Sequence, residues 1–343
     1  MTSRAELRAR GLPAERELID HIRRRLPAPP ASVIVGPGDD AAVIAPERGG
    51  MQVLTIDALI EGIHFDRRFS SLADVGYKAL AVNVSDLAAM GASPHFALLS
   101  LMLPDGLTLA DVDLLLDGIL EIAAATRVAI IGGNISRSPG PLILDVTAGG
   151  SVRPRRVLTR GGGKPGDDLY VTGSIGAAGA GLDWLRTHGS PSGAADGPAG
   201  MLACIRRHQR PEPRVRIGLL LGRNRAASAC MDLSDGLADA VTQLAESSGT
   251  GATIEASALP IDPTAGDWFA SRGLDPVRTA LSHGDDYELL FAVPRKSRGR
   301  LRHVQRETRG VALTRIGTLT ADAGVRLSRD GVAEELPQGF SHF

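Results

Sequence analysis

The chain has 343 residues, 43% hydrophobic and 22% charged, with 38 Lys and Arg against 39 Asp and Glu for a net charge of −1. That length suggests two domains, the charge balance leaves no basic footprint for nucleic acid, and 3% aromatic residues leave few platforms for stacking bases. Cys204 and Cys230 are too few for a disulfide framework or a thiolate zinc site, and neither an apolar leader nor a membrane-length apolar run is present, so a cytoplasmic globular protein is expected.

Residues 1–13 are polar. Ala14–Leu26 reads as a helix with Leu18, Ile19 and Ile22 on one face. Arg23-Arg24-Arg25 suit its C-terminal dipole and read as a solvated helix end, and Pro27, Pro29 and Pro30 stop it. Val33–Val35 is a short strand running into Gly36-Pro37-Gly38-Asp39-Asp40, where glycine permits a sharp bend. Adjacent aspartates point to opposite sides, so Asp40, followed by a new apolar strand, is the candidate for a cleft and Asp39 reads as a turn residue. Val53–Asp57 is the next strand, and the loop Glu61–Asp66 beyond it carries His64, a candidate substrate contact. In the helix Leu72–Met90, Leu72, Val75, Ala79, Val82 and Asp86 follow helical spacing, which puts Asp86 on an apolar face. Buried aspartates are rare unless paired or metal-bound. Ala97–Leu103 is a leucine-rich strand, and Thr108 caps the helix Leu109–Ala125. Val128–Ile131 reads as a short strand ending in a loop, Gly132-Gly133-Asn134-Ile135-Ser136, and the strand Leu142–Ser151 closes the first half.

A basic connector, Arg153–Arg160, leads to Gly161-Gly162-Gly163-Lys164-Pro165. This lacks P-loop spacing, with proline where Ser or Thr is required, and reads as a turn before the strand Leu169–Thr172. Arg160 has the geometry to bind a phosphate through two N–H groups. A small-residue helix Gly176–Arg186, a Gly189–Gly200 loop and helices near Met201–His208 and Pro213–Leu221 follow. The apolar run Ala226–Met231 then enters Asp232-Leu233-Ser234-Asp235-Gly236, and Leu237, Val241 and Leu244 leave at helical spacing. Strand, tight turn and helix are expected, with Ser234 capping the helix and Asp235 in its first turn. Ala252–Ala256, the turn and strand His283–Phe291, and short strands Leu313–Gly317 and Val325–Leu327 complete a chain of the α/β or α+β class.

The carboxylates Asp40, Asp57, Asp86, Asp232 and Asp235 leave apolar segments where a cleft is commonly built. Two carboxylates about 4 Å apart repel by roughly 4 kcal/mol at an effective dielectric of about 20, so a convergent set needs a cation or takes up protons. With His and Cys scarce in these motifs, the expected ion is hard and oxygen-loving. Mg²⁺ with phosphates in its shell fits, and such a site suits phosphoryl transfer.

Taken together, the motifs carry a resemblance. They are Gly38-Asp39-Asp40-Ala41-Ala42, Thr55-Ile56-Asp57, His64-Phe65, Lys78-Ala79 with Val82–Ala92, Leu158-Thr159-Arg160, Met231–Leu237 and Asp286-Tyr287-Glu288-Leu289. In this order, from about residue 14 to the C-terminus, the chain resembles the thiamine-monophosphate kinase family of the aminoimidazole-ribonucleotide-synthetase-like superfamily. The resemblance implies an α/β fold of α+β type, two-domain and PurM-like, with mixed sheets flanked by helices. An ATP- and Mg²⁺-binding, dimerising domain would span 14–152, and a domain completing the active site 153–343. The implied activity is ATP-dependent phosphorylation of thiamine monophosphate to thiamine diphosphate, by a homodimer using several Mg²⁺ ions and ATP as co-substrate, with no nucleic-acid or membrane partner.

Carried over residue by residue, Asp40, Asp57, Asp86 and Asp232 are the catalytic carboxylates. Mg²⁺ falls to Asp40, Thr55, Ile56 through its backbone, Asp57, Asp86, Asn134, Asp232 and Asp235. ATP falls to Thr55, Gly133, Asn134, Arg160 and Ser234, and the thiamine phosphate to His64, Asp285 and Phe340. Asn134 stands where the family has aspartate and offers one neutral carbonyl oxygen. Asp285 is one methylene shorter than the family's glutamate, and Phe340 lacks a polar handle. Two alternatives stay open. A non-catalytic nucleotide- or thiamine-phosphate-binding relative is raised by Asn134. A sister synthetase of the superfamily would carry a reactive cysteine near the N-terminus or in the tail, whereas this chain ends Ser341-His342-Phe343.

Overall fold

The computed structural model describes residues 11–189 and 197–339; Phe340, the polar N-terminal residues 1–10 and most of the Gly189–Gly200 loop lie outside the described residues. The chain divides into two units, residues 1–87 with 93–153 and residues 88–92 with 154–343.

The first unit begins with α1 (Glu15–Arg25), whose Arg25 bonds the Asp113 carboxylate at 2.7 Å and also Asp117. Arg25 thereby ties α1 to the helix carrying both aspartates, while Arg23 and Arg24 are exposed, in keeping with a solvated helix end. A small hairpin, β1 (Val33–Val35) and β2 (Val43–Ile44), follows. β3 (Met51–Ile60), α2 (Leu72–Ala89), β4 (Ser93–Pro104), α3 (Leu109–Thr126), β5 (Ala129–Ser138) and β6 (Ile143–Val152) complete the unit. Its four-stranded sheet runs β3-β6-β4-β5, antiparallel except for the parallel pair β4/β5. Thr108 caps α3 in a reciprocal capping box with Asp111, as the sequence predicts. α2 and α3 meet backbone to backbone: a Cβ on Gly118 would sit 1.8 Å from Ala73 O, and one on Gly76 2.0 Å from Leu115 O. Only glycine permits that approach. α2 is accordingly buried nearly all round, with Val75, Ala79, Leu80, Val84 and Leu87 in the core.

In the second unit, β7 (Asp168–Thr172), α4 (Ala177–His188), α5 (Met201–Gln209), α6 (Val215–Asn224), β8 (Ala229–Asp232) and α7 (Leu237–Ser248) come first. They are followed by β9 (Gly251–Glu255), α8 (Pro263–Ser271), α9 (Pro276–Ser282), β10 (Leu289–Val293), α10 (Arg298–Arg306), β11 (Leu313–Thr320), β12 (Val325–Arg329) and β13 (Val332–Glu335). The seven strands order as β13-β12-β9-β11-β7-β10-β8, antiparallel except for β12/β9. Leu220, Leu221, Phe291, Leu301 and Val304 belong to a core that joins α6 and α10 to β10. Among the described residues no helix is long and apolar enough to cross a membrane.

Several expectations change. Gly132–Ser136 is not a loop after a strand but the interior of β5, because β4 supplies ladder partners along it: Leu98 opposite Gly132, Leu99 opposite Gly133 and Ser100 opposite Asn134. Glycine inside a strand marks a close backbone approach. β3 runs past Asp57 to Ile60, since β6 pairs with it throughout and sets Asp57 opposite Val146, so this carboxylate is mid-strand. Helices α8, α9 and α10 fall in stretches with no predicted element. The first two carry a legible start, Asp262-Pro263 and Asp275-Pro276, in which a capping carboxylate precedes proline at the first helical position.

Candidate active site

In the first unit, strand alternation sorts β3 into two faces. Thr55 and Asp57 are half-buried on one, while Leu54 and Ile56 are exposed on the other. The Thr55 hydroxyl donates to Asp86 Oδ2, so the sheet and α2 bring these two predicted residues together. Asp40 is exposed in a turn whose geometry Asp39 fixes, accepting the Asp40 N–H at 2.9 Å. Gly38 sits at φ +127°, with the Arg23 guanidinium over it: a Cβ there would fall 2.2 Å from Nη2. His64 accepts the Ile60 N–H on Nδ1 at 3.0 Å, which puts the ring proton on Nε2. Its carbonyl takes a bond from the buried Lys78 at 3.3 Å. Asn134 and Gly133 are exposed on β5.

In the second unit, β8 delivers Asp232, 4% exposed, at its last position opposite Leu289 of β10. The helix that follows starts differently from the sequence expectation. Its N-cap is Gly236 at φ +96°, with no side-chain cap; Ser234 Oγ instead donates to Asp235 Oδ2 at 3.4 Å, and both residues precede the helix. The carboxylate in its first turn is Asp239. A Cβ at Gly236 would lie 2.9 Å from Leu281 O, so packing against the end of α9 sets the tight entry. Arg160 donates to Gln243 of α7 at 2.7 Å, and Gln243 in turn donates to Asp239. Both cysteines are buried: burial pushes the Cys204 thiol up to about 12, and burial with Asp232 nearby pushes Cys230 up as well, which keeps both in the thiol form.

Asp285 lies 3.1 Å from Nδ1 of the buried His208. Its neighbours Asp286 and Glu288 lie in a motif that the sequence shows without assigning either a role. Asp286 is buried, its carboxylate accepting the N–H groups of Gly176 at 2.7 Å and Ala178 at 3.3 Å at the start of α4. Glu288 is buried against Arg207, Arg214 and Thr172. The motif containing them was visible, but partners so distant in sequence leave no local signal.

Burial raises the Asp286 carboxyl to about 7, against the two N–H bonds and the Arg207 charge that lower it. The folded value exceeds the ordinary one of about 3.9, so Asp286 contributes its full stability below about pH 4 and loses it as pH rises through about 7. Asp286→Asn removes that dependence: its stability relative to wild type improves from about pH 4 to about pH 8 by urea unfolding. A pH-independent difference contradicts the assignment.

Among the described residues no three His, Cys, Asp or Glu side chains gather as a metal held by protein alone requires. Mg²⁺ ordinarily takes only one or two carboxylates and completes its shell with phosphate and water. The hard oxygen donors Thr55, Asp57 and Asp86 in the first unit, and the buried Asp232 in the second, each suit that mode by donor type.

Residues 38–152 match the family model for the AIR synthase related protein N-terminal domain, and residues 164–330 match that for its C-terminal domain. Thiamine-monophosphate kinase of Escherichia coli (strain K12) is 39% identical over 317 residues, 91% of this chain and 92% of the relative. This chain belongs to the thiamine-monophosphate kinase family. Solved members agree in fold. A thiamine-monophosphate kinase from Stenotrophomonas maltophilia K279a superposes with a TM-score of 0.80 at 36% identity, covering 94% of this chain and 98% of its own. AaThiL complexed with AMPPCP and TMP does so with a TM-score of 0.75 at 32% identity, covering 100% of this chain and 99% of its own. The family's two-domain PurM-like α/β fold is therefore the fold of this chain.

Proposed function

We propose that this chain transfers the γ-phosphoryl group of ATP to thiamine monophosphate, forming thiamine diphosphate and ADP. The observation that carries this is the full-length likeness to AaThiL complexed with AMPPCP and TMP, a nucleotide analogue and a phosphate acceptor held by one family member. In the reaction an oxygen of the thiamine phosphate attacks the γ-phosphorus. The bond from that phosphorus to the β-bridging oxygen breaks, and ADP leaves with the electron pair. A phosphate monoester is already largely ionised near neutral pH, so the acceptor needs no general base. The work left to the protein is alignment and charge neutralisation.

Asp40, Thr55, Asp57, Asp86 and the backbone of Ile56 in the first unit, and Asp232 and Asp235 in the second, are assigned to Mg²⁺, which when bound neutralises polyphosphate charge. Asn134 adds a neutral carbonyl oxygen there. Gly133, Asn134, Arg160, Ser234 and Thr55 are assigned to ATP, and His64, Asp285 and Phe340 to the thiamine phosphate. His64 is suited to that role because an imidazole N–H donates to phosphate oxygen. A coupled assay of ADP release tests the function: ADP forms with thiamine monophosphate and not with thiamine, which has no phosphate acceptor. ADP release independent of the acceptor refutes it. ATP as co-substrate points to the cytoplasm, and recovery of the chain solely outside the cytosolic fraction on an immunoblot contradicts that.

The active form we propose is a homodimer joined through the first unit's sheet. β3 is an edge strand on which Leu54 is 66% and Ile56 62% exposed, a combination that proteins usually cover. Sedimentation velocity at micromolar concentration gives a particle of about twice the 35.9 kDa chain mass; a monomer refutes the pairing.

A further inference from the structure

The turn that carries Asp285 is strained and clamped. Asp285 and Tyr287 hold φ of +67° and +48°, in the left-handed region that favours glycine. Such conformations persist where surrounding contacts over-determine them, and they concentrate at functional sites. Three main-chain bonds tie this turn to the segment leaving β8. Asp285 N–H donates to Ser234 O at 2.8 Å, Tyr287 N–H to Leu233 O at 3.0 Å, and Leu233 N–H to Glu288 O at 2.8 Å. The turn and the Asp232–Asp235 segment therefore move as one body.

Glu288 anchors that body and is 0% exposed. Arg214 donates to its Oε2 from Nε at 2.7 Å and to its Oε1 from Nη2, Arg207 Nη2 donates to Oε1 at 2.6 Å, and the Thr172 hydroxyl donates to Oε2. Arg207 Nη2 also reaches Asp286 O at 3.0 Å, and Thr172 Oγ1 accepts the Leu289 N–H at 2.8 Å. The last residue of β7 and two arginines thus hold both the side chain and the main chain of the turn. A buried ion pair is a poor stabiliser compared with apolar packing of the same volume. What four directed bonds on one carboxylate add is orientation.

We infer that Glu288 is a positioning residue: clamped by Arg207, Arg214 and Thr172, it fixes Asp285 and the Asp232–Asp235 segment in a single arrangement for the acceptor phosphate and the metal–nucleotide. The inference rests on the roles proposed above for those residues. Glu288→Gln keeps the volume but turns an amide NH₂ against N–H or O–H donors. Thr172→Val removes one bond to Glu288 and one to Leu289 with little change of shape.

The test is calorimetric affinity for thiamine monophosphate with Mg²⁺-AMPPCP present, alongside kcat and KM, at a temperature where both variants are folded by circular dichroism. Glu288→Gln weakens thiamine monophosphate binding and lowers kcat/KM by about 10- to 100-fold, the range seen when partners that orient a ligand are lost. Thr172→Val loses less, and the double variant loses less than the product of the two single losses because both act on one clamp. Lowered melting temperatures with wild-type affinity and kinetics overturn the inference and leave Glu288 a stabilising residue only. If wild type binds thiamine monophosphate but forms no product, the proposed chemistry fails and the affinities still decide the clamp. If wild type does not bind it at all, the inference falls with the assignment of Asp285.

Discussion

Asp232→Asn is expected to reduce thiamine diphosphate formation by about 10²- to 10³-fold, the effect of deleting one preorganised electrostatic partner, with the fold intact. Asp232 closes β8, its backbone paired with Leu289, and its side chain is buried. Asparagine has the same shape, so strand and core keep their packing. What is lost is the charge, and an amide oxygen binds a hard dication less well and cannot bridge two. Removing a buried carboxylate's desolvation cost offsets any lost contact, so the melting temperature stays within about 3 °C. An undiminished rate at saturating Mg²⁺ would remove Asp232 from the metal set. A collapse of the melting temperature would instead make it structural.

Gly133→Ala is expected to push β4 and β5 apart. A Cβ at this position would sit 2.1 Å from Leu99 O and 3.0 Å from Leu99 C, both main-chain atoms of β4 that no side-chain rotation can relieve. Overpacking of this kind costs about 1–3 kcal/mol, and the strain falls beside Asn134, so turnover drops together with stability. Gly132→Ala is the internal comparison: its Cβ would meet only the Leu98 Cδ2 methyl at 3.0 Å, a flexible side-chain end. Thermal unfolding separates the two, with Gly133→Ala the less stable. Equal melting temperatures would show that the two strands relax freely at this position.

The same residues show what a single sequence can disclose. Asp86 stood out because a carboxylate on an apolar helical face needs a reason, and its hydrogen bond with Thr55 supplies a partner. The Thr108 cap was legible because capping is local and its partner Asp111 is three residues away. Ser234 shows the limit of the same logic: Gly236, at φ +96°, sets the helix start beyond its reach, under packing from α9 that no local pattern encodes. Gly132–Asn134 read as a loop because glycine is a turn former, and only the parallel partner β4 makes it strand. Asp286 and Glu288 were visible as a motif but not as a clamp, since Thr172, Arg207 and Arg214 come from β7, α5 and the segment before α6.

Phosphorus NMR of the purified chain with ATP, Mg²⁺ and thiamine monophosphate tests direct phosphoryl transfer most squarely. Thiamine diphosphate and ADP resonances growing in equal amounts, without inorganic phosphate, is the expected result. ADP accompanied by inorganic phosphate and no thiamine diphosphate, or no change in either substrate, contradicts it.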